Sequence, residues 1–269
     1  MLLRQLFFHP TFGYTYVLAD RDTREAALID PVRARMRDYV QLFNELGVTL
    51  TVAIDTHTHD DRESALPALR ELWNCETVIG APQESRDHSR VVQQGDTVAV
   101  GNLTLEVIYT PGHTHDSHSF YLQQSDKAVV FTGDTLLVRT VGLSNQDTSN
   151  PEFHYHSLTE VLAKLPDETI VYPGRDFKGW PLSTIREEKA FNPYLLTDSL
   201  EEFLALKQRQ KPADIKPLTV ARERDADVTD MRPGEPVDAG EFYLPGERGL
   251  RSIDENSPSK DDPPVPSWR

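Results

Sequence analysis

The chain has a single cysteine, Cys75, among 269 residues. One thiol excludes an internal disulfide framework and a cysteine-built zinc site. Positive charge is scarce as well: 28 Lys and Arg face 43 Asp and Glu, a formal net charge of −15. A nucleic-acid partner is thereby disfavoured, because phosphate binding needs a basic face. Long apolar runs are missing. The best, around Ala128–Phe131, fall far short of the roughly 18 residues that cross a bilayer, so no membrane association is expected. The opening Met-Leu-Leu-Arg-Gln-Leu-Phe-Phe lacks a basic start, a long apolar stretch and a small-residue cleavage site, which points to a cytoplasmic location. What is present, 38% hydrophobic and 26% charged residues, suits a globular chain long enough to bury a sizeable core. An enzyme or a small-molecule binder is the expectation.

The first half alternates strand-like and helix-like segments. Tyr14–Leu18, Ala26–Ile29, Leu50–Ile54 and Thr77–Ile79 are short β-favouring runs. Between them, Arg33–Leu46 carries apolar residues at the three-and-four spacing of an amphipathic helix, with Gly47 as its C-cap, and Glu63–Trp73 reads as a second helix. From Asp96 the pattern becomes all-β, at Thr97–Val100, Leu103–Tyr109, Ser119–Leu122 and Ala128–Phe131, with turns at Gly101-Asn102 and Ser125-Asp126. Leu158–Leu165, Ser183–Ala190 and Leu200–Gln208 read as helices, and Thr169–Tyr172 as a strand. This order suggests an α/β sandwich of two mixed sheets with helices outside. Composition shifts near residue 230: residues 231–269 hold 7 of the 19 prolines. They read as a charged C-terminal tail, or as an arm anchored by Phe242, Tyr243, Leu244 and Trp268, beside a main domain of residues 1–230.

Five of the nine histidines fall in two short segments, Thr56-His57-Thr58-His59-Asp60-Asp61-Arg62 and Pro111-Gly112-His113-Thr114-His115-Asp116-Ser117-His118. Each follows a β-like run. Residues i and i+2 leaving a strand point the same way, so His57 and His59 can face one point. A third segment, Val130-Phe131-Thr132-Gly133-Asp134, delivers a carboxylate just past an apolar strand, which is costly unless the charge is paired or bound to a metal. Together they predict a metal site.

His57-Thr58-His59-Asp60-Asp61, Thr110-Pro111-Gly112-His113-Thr114 and Phe131-Thr132-Gly133-Asp134 resemble the ligand motifs of the metallo-β-lactamase superfamily. More narrowly, Leu2-Leu3-Arg4-Gln5-Leu6-Phe7, Glu25–Val32, Gly133–Arg139 and Val171-Tyr172-Pro173 look like the persulfide dioxygenases. The resemblance runs from Leu2 to about residue 230. It implies an αββα sandwich with the metal at the mouth between the sheets. It also implies one divalent metal, a non-haem iron(II) held by His57, His113 and Asp134, with His59 beside it. Homodimers are common among these relatives. Two departures stand out. The pattern expects histidine where this chain has Arg62, and again where it has Arg175. In dinuclear members those histidines hold the second metal. A guanidinium is a permanent donor and cannot ligate a cation, so a dinuclear site is not expected. Arg62 and Arg175 then supply positive charge to Asp61 or to an anionic substrate.

The resemblance implies oxidation of a persulfide sulfur by O₂. The rival is a mononuclear zinc hydrolase resembling the glyoxalase II thioesterases, with His57, His59, His113 and Asp134 on zinc and Asp61 orienting its water. A third reading is a non-catalytic member of the fold that binds a small acidic ligand. The substrate is therefore a small anionic sulfur compound or a thioester. The family's glutathione-holding Gly-Arg-Thr-Asp and His-Asp-Tyr segments read Val141-Gly142-Leu143-Ser144 and Arg175-Asp176-Phe177 here, so glutathione persulfide is not expected to be preferred. Cys75 is expected to pack a helix end, and His154 and His156 to cap or lie at the surface. His115 and His118 are expected to flank the metal loop, with Asp116 or Ser117 setting an imidazole tautomer.

Overall fold

The computed structural model describes residues 1–82, 88–125, 127–144 and 146–210. Residues 231–269, and with them the tail or arm, lie outside the described residues, as does Asp126 of the Ser125-Asp126 turn. Two six-stranded sheets form the centre. The first runs in sequence order: β1 (Leu2–Phe8), β2 (Gly13–Ala19), β3 (Glu25–Ile29), β4 (Thr49–Ile54), β5 (Glu76–Gly80) and β6 (Arg90–Val92). The first three strands are antiparallel and the last four parallel. The second sheet comprises β7 (Thr97–Val100), β8 (Leu103–Tyr109), β9 (His118–Gln123), β10 (Ala128–Gly133), β11 (Ile170–Pro173) and β12 (Ser183–Thr184), with β10 and β11 parallel. Both sheets are mixed, as expected.

The layering follows from side-chain alternation along the strands. On β2, Tyr16 and Leu18 face the second sheet, where they meet Val98, Leu105, Phe120 and Phe131 in one buried cluster. Val17 and Ala19 point the other way, onto the helices α1 (Met36–Leu46) and α2 (Leu66–Trp73) through Met36, Tyr39, Phe43 and Leu69. A strand buried on both faces reads as largely apolar, and all seven residues of β2 are buried, the hydroxyl of its one threonine, Thr15, donating to Asp30 O at 2.8 Å. Val130 and Val171 of the second sheet pack outward onto Leu158, Leu162, Ile185 and Phe203. These lie along α3 (Pro151–His156) with the π turn Ser157–Val161 and 3-10 turn Leu162–Lys164 that continue it, α4 (Ile185–Phe191) and α5 (Leu200–Arg209). The result is four layers, helix–sheet–sheet–helix.

Several boundaries differ from the sequence reading. The helix expected at Leu158–Leu165 begins earlier, where Asn150 caps α3 by accepting from Phe153 N and Pro151 occupies the first turn. Ser183 and Thr184 form a short strand, and Thr184 caps α4, so that helix starts at Ile185. The strands β1, β6 and β12 go beyond the sequence reading. Gly47 does close α1 in the left-handed conformation, φ 60°.

Candidate metal centre

The site residues follow the ends of β3, β4, β8, β10 and β11, at one mouth between the sheets. Backbone bonds tie these ends together. His118 N donates to Thr56 O at 2.8 Å, Gly174 N to Gly133 O at 2.7 Å and Tyr14 N to Gly174 O at 2.8 Å. Thr58 donates through both its backbone N and Oγ1 to Asp116 Oδ2, at 3.0 and 2.6 Å, which holds the His57–His59 loop against the His113 loop. Gly133 has φ +50°, and a Cβ there would run into Thr56 Oγ1. Glycine is therefore needed for the turn that brings Asp134 to the mouth.

His57, His113 and Asp134 are brought together: one ligand atom from each lies within 4.8 Å of the others, and all three residues are buried. Asp134 Oδ2 is 3.5 Å from His113 Nε2 and 3.9 Å from His57 Nε2. Neither Nε2 has a hydrogen-bond partner among the described residues. The surrounding bonds decide which nitrogen carries the proton. His113 Nδ1 lies 2.7 Å from Leu143 O, a pure acceptor, so Nδ1 is protonated and Nε2 keeps its lone pair. For His57 the argument needs one more link. Thr56 Oγ1 gives its only proton to Asp30 Oδ2 at 2.9 Å, and so it accepts from His57 Nδ1, also at 2.9 Å. His57 Nε2 is thus a lone pair as well. Two imidazole lone pairs and one carboxylate, buried and facing one another, fit a divalent metal. Burial, helped by His59, keeps His57 well below its ordinary pKa, in the neutral form a ligand requires.

Arg175 crosses the mouth. Its Nε donates to Asp134 Oδ2 at 2.5 Å, while Nη1 and Nη2 donate to the two oxygens of Asp61 at 2.5 and 3.0 Å. Nη1 also donates to Thr11 O at 3.2 Å. Burial alone would raise the Asp134 pKa, but the charge and hydrogen bond of Arg175 hold it well below the carboxylate range. Asp61 is lowered too; burial opposes this, and the hydrogen bond and charge of Arg175 outweigh it. Arg62 takes a different partner from the one expected. Its side chain is buried, with Nη2 3.2 Å from His59 Nε2 and 3.9 Å from Asp30 Oδ2. His59 stands beside His57, ring centroids 4.1 Å apart, but its ligand atoms group with Asp30 and Asp55 instead of with the triad.

The remaining residues singled out in the sequence divide between those placed as expected, Cys75 and His156, and those placed otherwise, such as the buried His154. Asp116 holds Thr58 through its side chain, and its backbone oxygen, 2.9 Å from His118 Nδ1, sets the tautomer of His118 as expected, while Ser117 bonds Thr114; neither orients His57 or His113. That work falls to Thr56 and the Leu143 carbonyl. His154 is fully buried, 2.7 Å from Thr135 O, while His156 lies at the surface against Glu160. His118 begins β9, and Cys75 packs in the α1–α2 layer, where burial pushes its thiol up to about 11. Asp30, which enters the sequence reading only within the Glu25–Val32 resemblance and not as a site residue, accepts from Thr56 N at 2.7 Å and from Thr56 Oγ1 while holding φ 54°. The signal was there: like Asp134, it follows an apolar strand. Leu143 acts through its backbone oxygen, which leaves no trace in side-chain identity.

A four-layer α/β sandwich with two histidines and an aspartate at the mouth between its sheets defines a metal-binding class. Residues 10–175 match the family model described as the metallo-beta-lactamase superfamily, and the chain belongs to that superfamily. Within it, the chain is similar to the persulfide dioxygenases. It is 38% identical over 205 residues to the mitochondrial persulfide dioxygenase ETHE1 of Bos taurus, covering 76% of this chain and 79% of that one. A crystal structure of ETHE1 from Myxococcus xanthus superposes with a TM-score of 0.75 at 43% identity, covering 79% of this chain and 93% of that one. A protein of Schizosaccharomyces pombe described as a probable hydroxyacylglutathione hydrolase is 33% identical over 167 residues, 61% of this chain and 64% of that one.

Proposed function

We propose that the chain is a mononuclear non-haem iron oxygenase that oxidises a persulfide-type sulfur with O₂, with His57, His113 and Asp134 as the protein ligands of its metal. The observation that carries this is the pair of buried, unpartnered Nε2 lone pairs facing the Asp134 carboxylate. His57, His113 and Asp134 would hold the iron(II), which when bound would supply the redox chemistry that brings a sulfur anion and O₂ together. The chain's own residues do the rest. Leu143 O and Thr56 Oγ1 aim the two imidazoles. Arg175 spreads its charge over Asp134 and Asp61 and occupies the place of a second cation. Four of its N–H···O contacts are already made within the protein, so at most one of its five N–H bonds remains for a substrate. Arg175 thus serves Asp61 and Asp134 more than a bound anion.

Glutathione persulfide is not the preferred substrate on this reading. Leu143 cannot pair a carboxylate, and Phe177 keeps the ring but offers no hydroxyl. Losing a charge-assisted contact and a hydrogen bond costs roughly 2–4 kcal/mol, about 30-fold to 800-fold in affinity. A low-micromolar Michaelis constant for glutathione persulfide with brisk turnover would refute it. Elemental analysis of protein purified without added metal, followed by O₂ uptake with several persulfides, tests the whole reading. One iron per chain and sulfite release are expected, and Asp134→Ala should empty the site. Two metals per chain at full occupancy, or retention of metal by Asp134→Ala, contradicts the ligand assignment. Zinc with thioester cleavage would instead favour the hydrolase reading, for which the hydroxyacylglutathione hydrolase relative is the support.

A further inference from the structure

Lys207, on α5, is a charged side chain that the ligand set does not use. It is 7% exposed, and no carboxylate pairs it among the described residues; burial pushes its pKa down to about 7. Lysine is almost never placed this deep unless it is paired. Its partners here are two neutral oxygens. Nζ donates to Gly142 O and, at 2.8 Å, to Gln210 Oε1, with the Tyr194 ring centroid 5.9 Å away. An ammonium has three N–H bonds and a neutral amine two, so both ties hold in either form.

What Lys207 holds is a strap of backbone, Val141-Gly142-Leu143, that lies against two of the proposed ligands. Gly142 N donates to Asp134 O at 2.8 Å. A Cβ on Gly142 would lie 2.3 Å from Asp134 O and 2.8 Å from His113 Nδ1, so the strap has no room to shift toward them. Three successive carbonyls of the strap accept from side chains. Val141 O accepts from Gln210 Nε2 at 2.7 Å, Gly142 O from Lys207 Nζ, and Leu143 O from His113 Nδ1 at 2.7 Å. The first two donors sit at the C-terminal end of α5, and the third belongs to a ligand. An acceptor orients an imidazole only if the acceptor is itself fixed. We infer that Lys207 is a positioning residue for the metal centre: by holding the Gly142 carbonyl it fixes the adjoining Leu143 carbonyl, and through it the direction in which His113 Nε2 points. This rests on His113 being a metal ligand, as proposed above; that Lys207 holds the strap does not.

The test uses the metal-free full chain, with Co(II) and Zn(II) as probes. Lys207→Met keeps an unbranched apolar stem but leaves no donor for Gly142 O. Its metal affinity, read by chelator competition, should fall about tenfold or more, the scale on which groups around a ligand set change metal affinity. Leu206→Ala gives the measure of a merely structural loss, because it removes packing from the same helix but no hydrogen bond to the strap. It should melt below wild type and yet, well below its melting transition, bind Co(II) as tightly as wild type. Unchanged affinity in Lys207→Met, or an equal loss in Leu206→Ala, overturns the inference. Amide hydrogen exchange reads the strap itself. In Lys207→Met the Gly142 amide should exchange several-fold faster, roughly the scale of one lost hydrogen bond, while the amides of β10 keep their rates. An unchanged Gly142 rate overturns the hold on the strap. Should the wild type bind no metal, the assignment of His57, His113 and Asp134 fails, while the exchange arm still decides whether Lys207 holds the strap.

Discussion

Arg62 and Arg175 stand where dinuclear members of the superfamily are expected to carry histidine, and the structure uses them in different ways. Arg175 bridges two carboxylates across the mouth. Arg62 is buried behind His59. Neither can donate a lone pair, but both keep fixed charge beside Asp30, Asp61 and Asp134, which would otherwise repel one another in a low-dielectric cleft. Restoring both histidines reverses this. Arg62→His with Arg175→His should free Asp61 from its ion pair and offer two new imidazole lone pairs. The expected outcome is a rise from one metal per chain to two, checked by elemental analysis after zinc loading. A ratio that stays at one would show that more than the two arginines blocks the second position.

Within the elements, the packing between the sheets and the ties at their edges carry the stability that the mouth depends on. Phe131 of β10 is 1% exposed, stacks with Tyr172 at 5.4 Å and meets Tyr16 at 5.1 Å. Phe131→Ala should cost about 3–5 kcal/mol of unfolding free energy, measured by denaturant titration, because the cavity lies between two rigid sheets that cannot close on it. Asp20, just past β2, ties the first sheet to the turn between β7 and β8. It accepts from Asn102 N at 2.7 Å, Asp22 N at 3.1 Å and Thr23 Oγ1 at 3.2 Å. The bond from Asn102 N, followed by that from Asp22 N, lowers its pKa below the ordinary 3.8. A carboxyl with a depressed folded pKa contributes stability that is full above its unfolded pKa and is lost as pH falls through the folded one. Asp20→Ala should therefore melt below wild type at neutral pH, with the difference closing below about pH 3.8. A difference that is the same at all pH values would mean the contacts act without the charge.

Over the whole molecule, the net charge of −15 sets the long-range field. The anionic persulfide proposed as substrate would approach against it, and the arginines at the mouth are already engaged. Salt shortens the reach of this repulsion to about 8–10 Å at 0.1–0.15 M. The value of kcat/KM for an anionic substrate should thus rise several-fold, roughly, as ionic strength goes from 10 to 150 mM, while that for an uncharged analogue stays level. A fall with salt would reveal a local attraction that outweighs the net charge. No helix among the described residues is long and apolar enough to cross a membrane.

The layered fold was legible because strands such as β3 and β10 are almost wholly apolar while each flanking helix is apolar on one face. Ala26–Ile29 or Val130–Phe131 can be stable only between two covering layers. The three strand-end motifs were legible for the same reason: a histidine or aspartate directly after a buried run has few inexpensive explanations. The sequence by itself therefore determined the sandwich and the residue types at its mouth. Only the tertiary structure decided which nitrogen of each imidazole faces inward. That choice depends on partners remote in the chain: Leu143 O lies 30 residues from His113, and Asp30 acts on His57 through Thr56. It also decided that Arg175 binds Asp61 and Asp134 while Arg62 goes to His59. Side-chain identity says what a group can donate or accept, but its partner is set by where the strands of two separate sheets bring their ends.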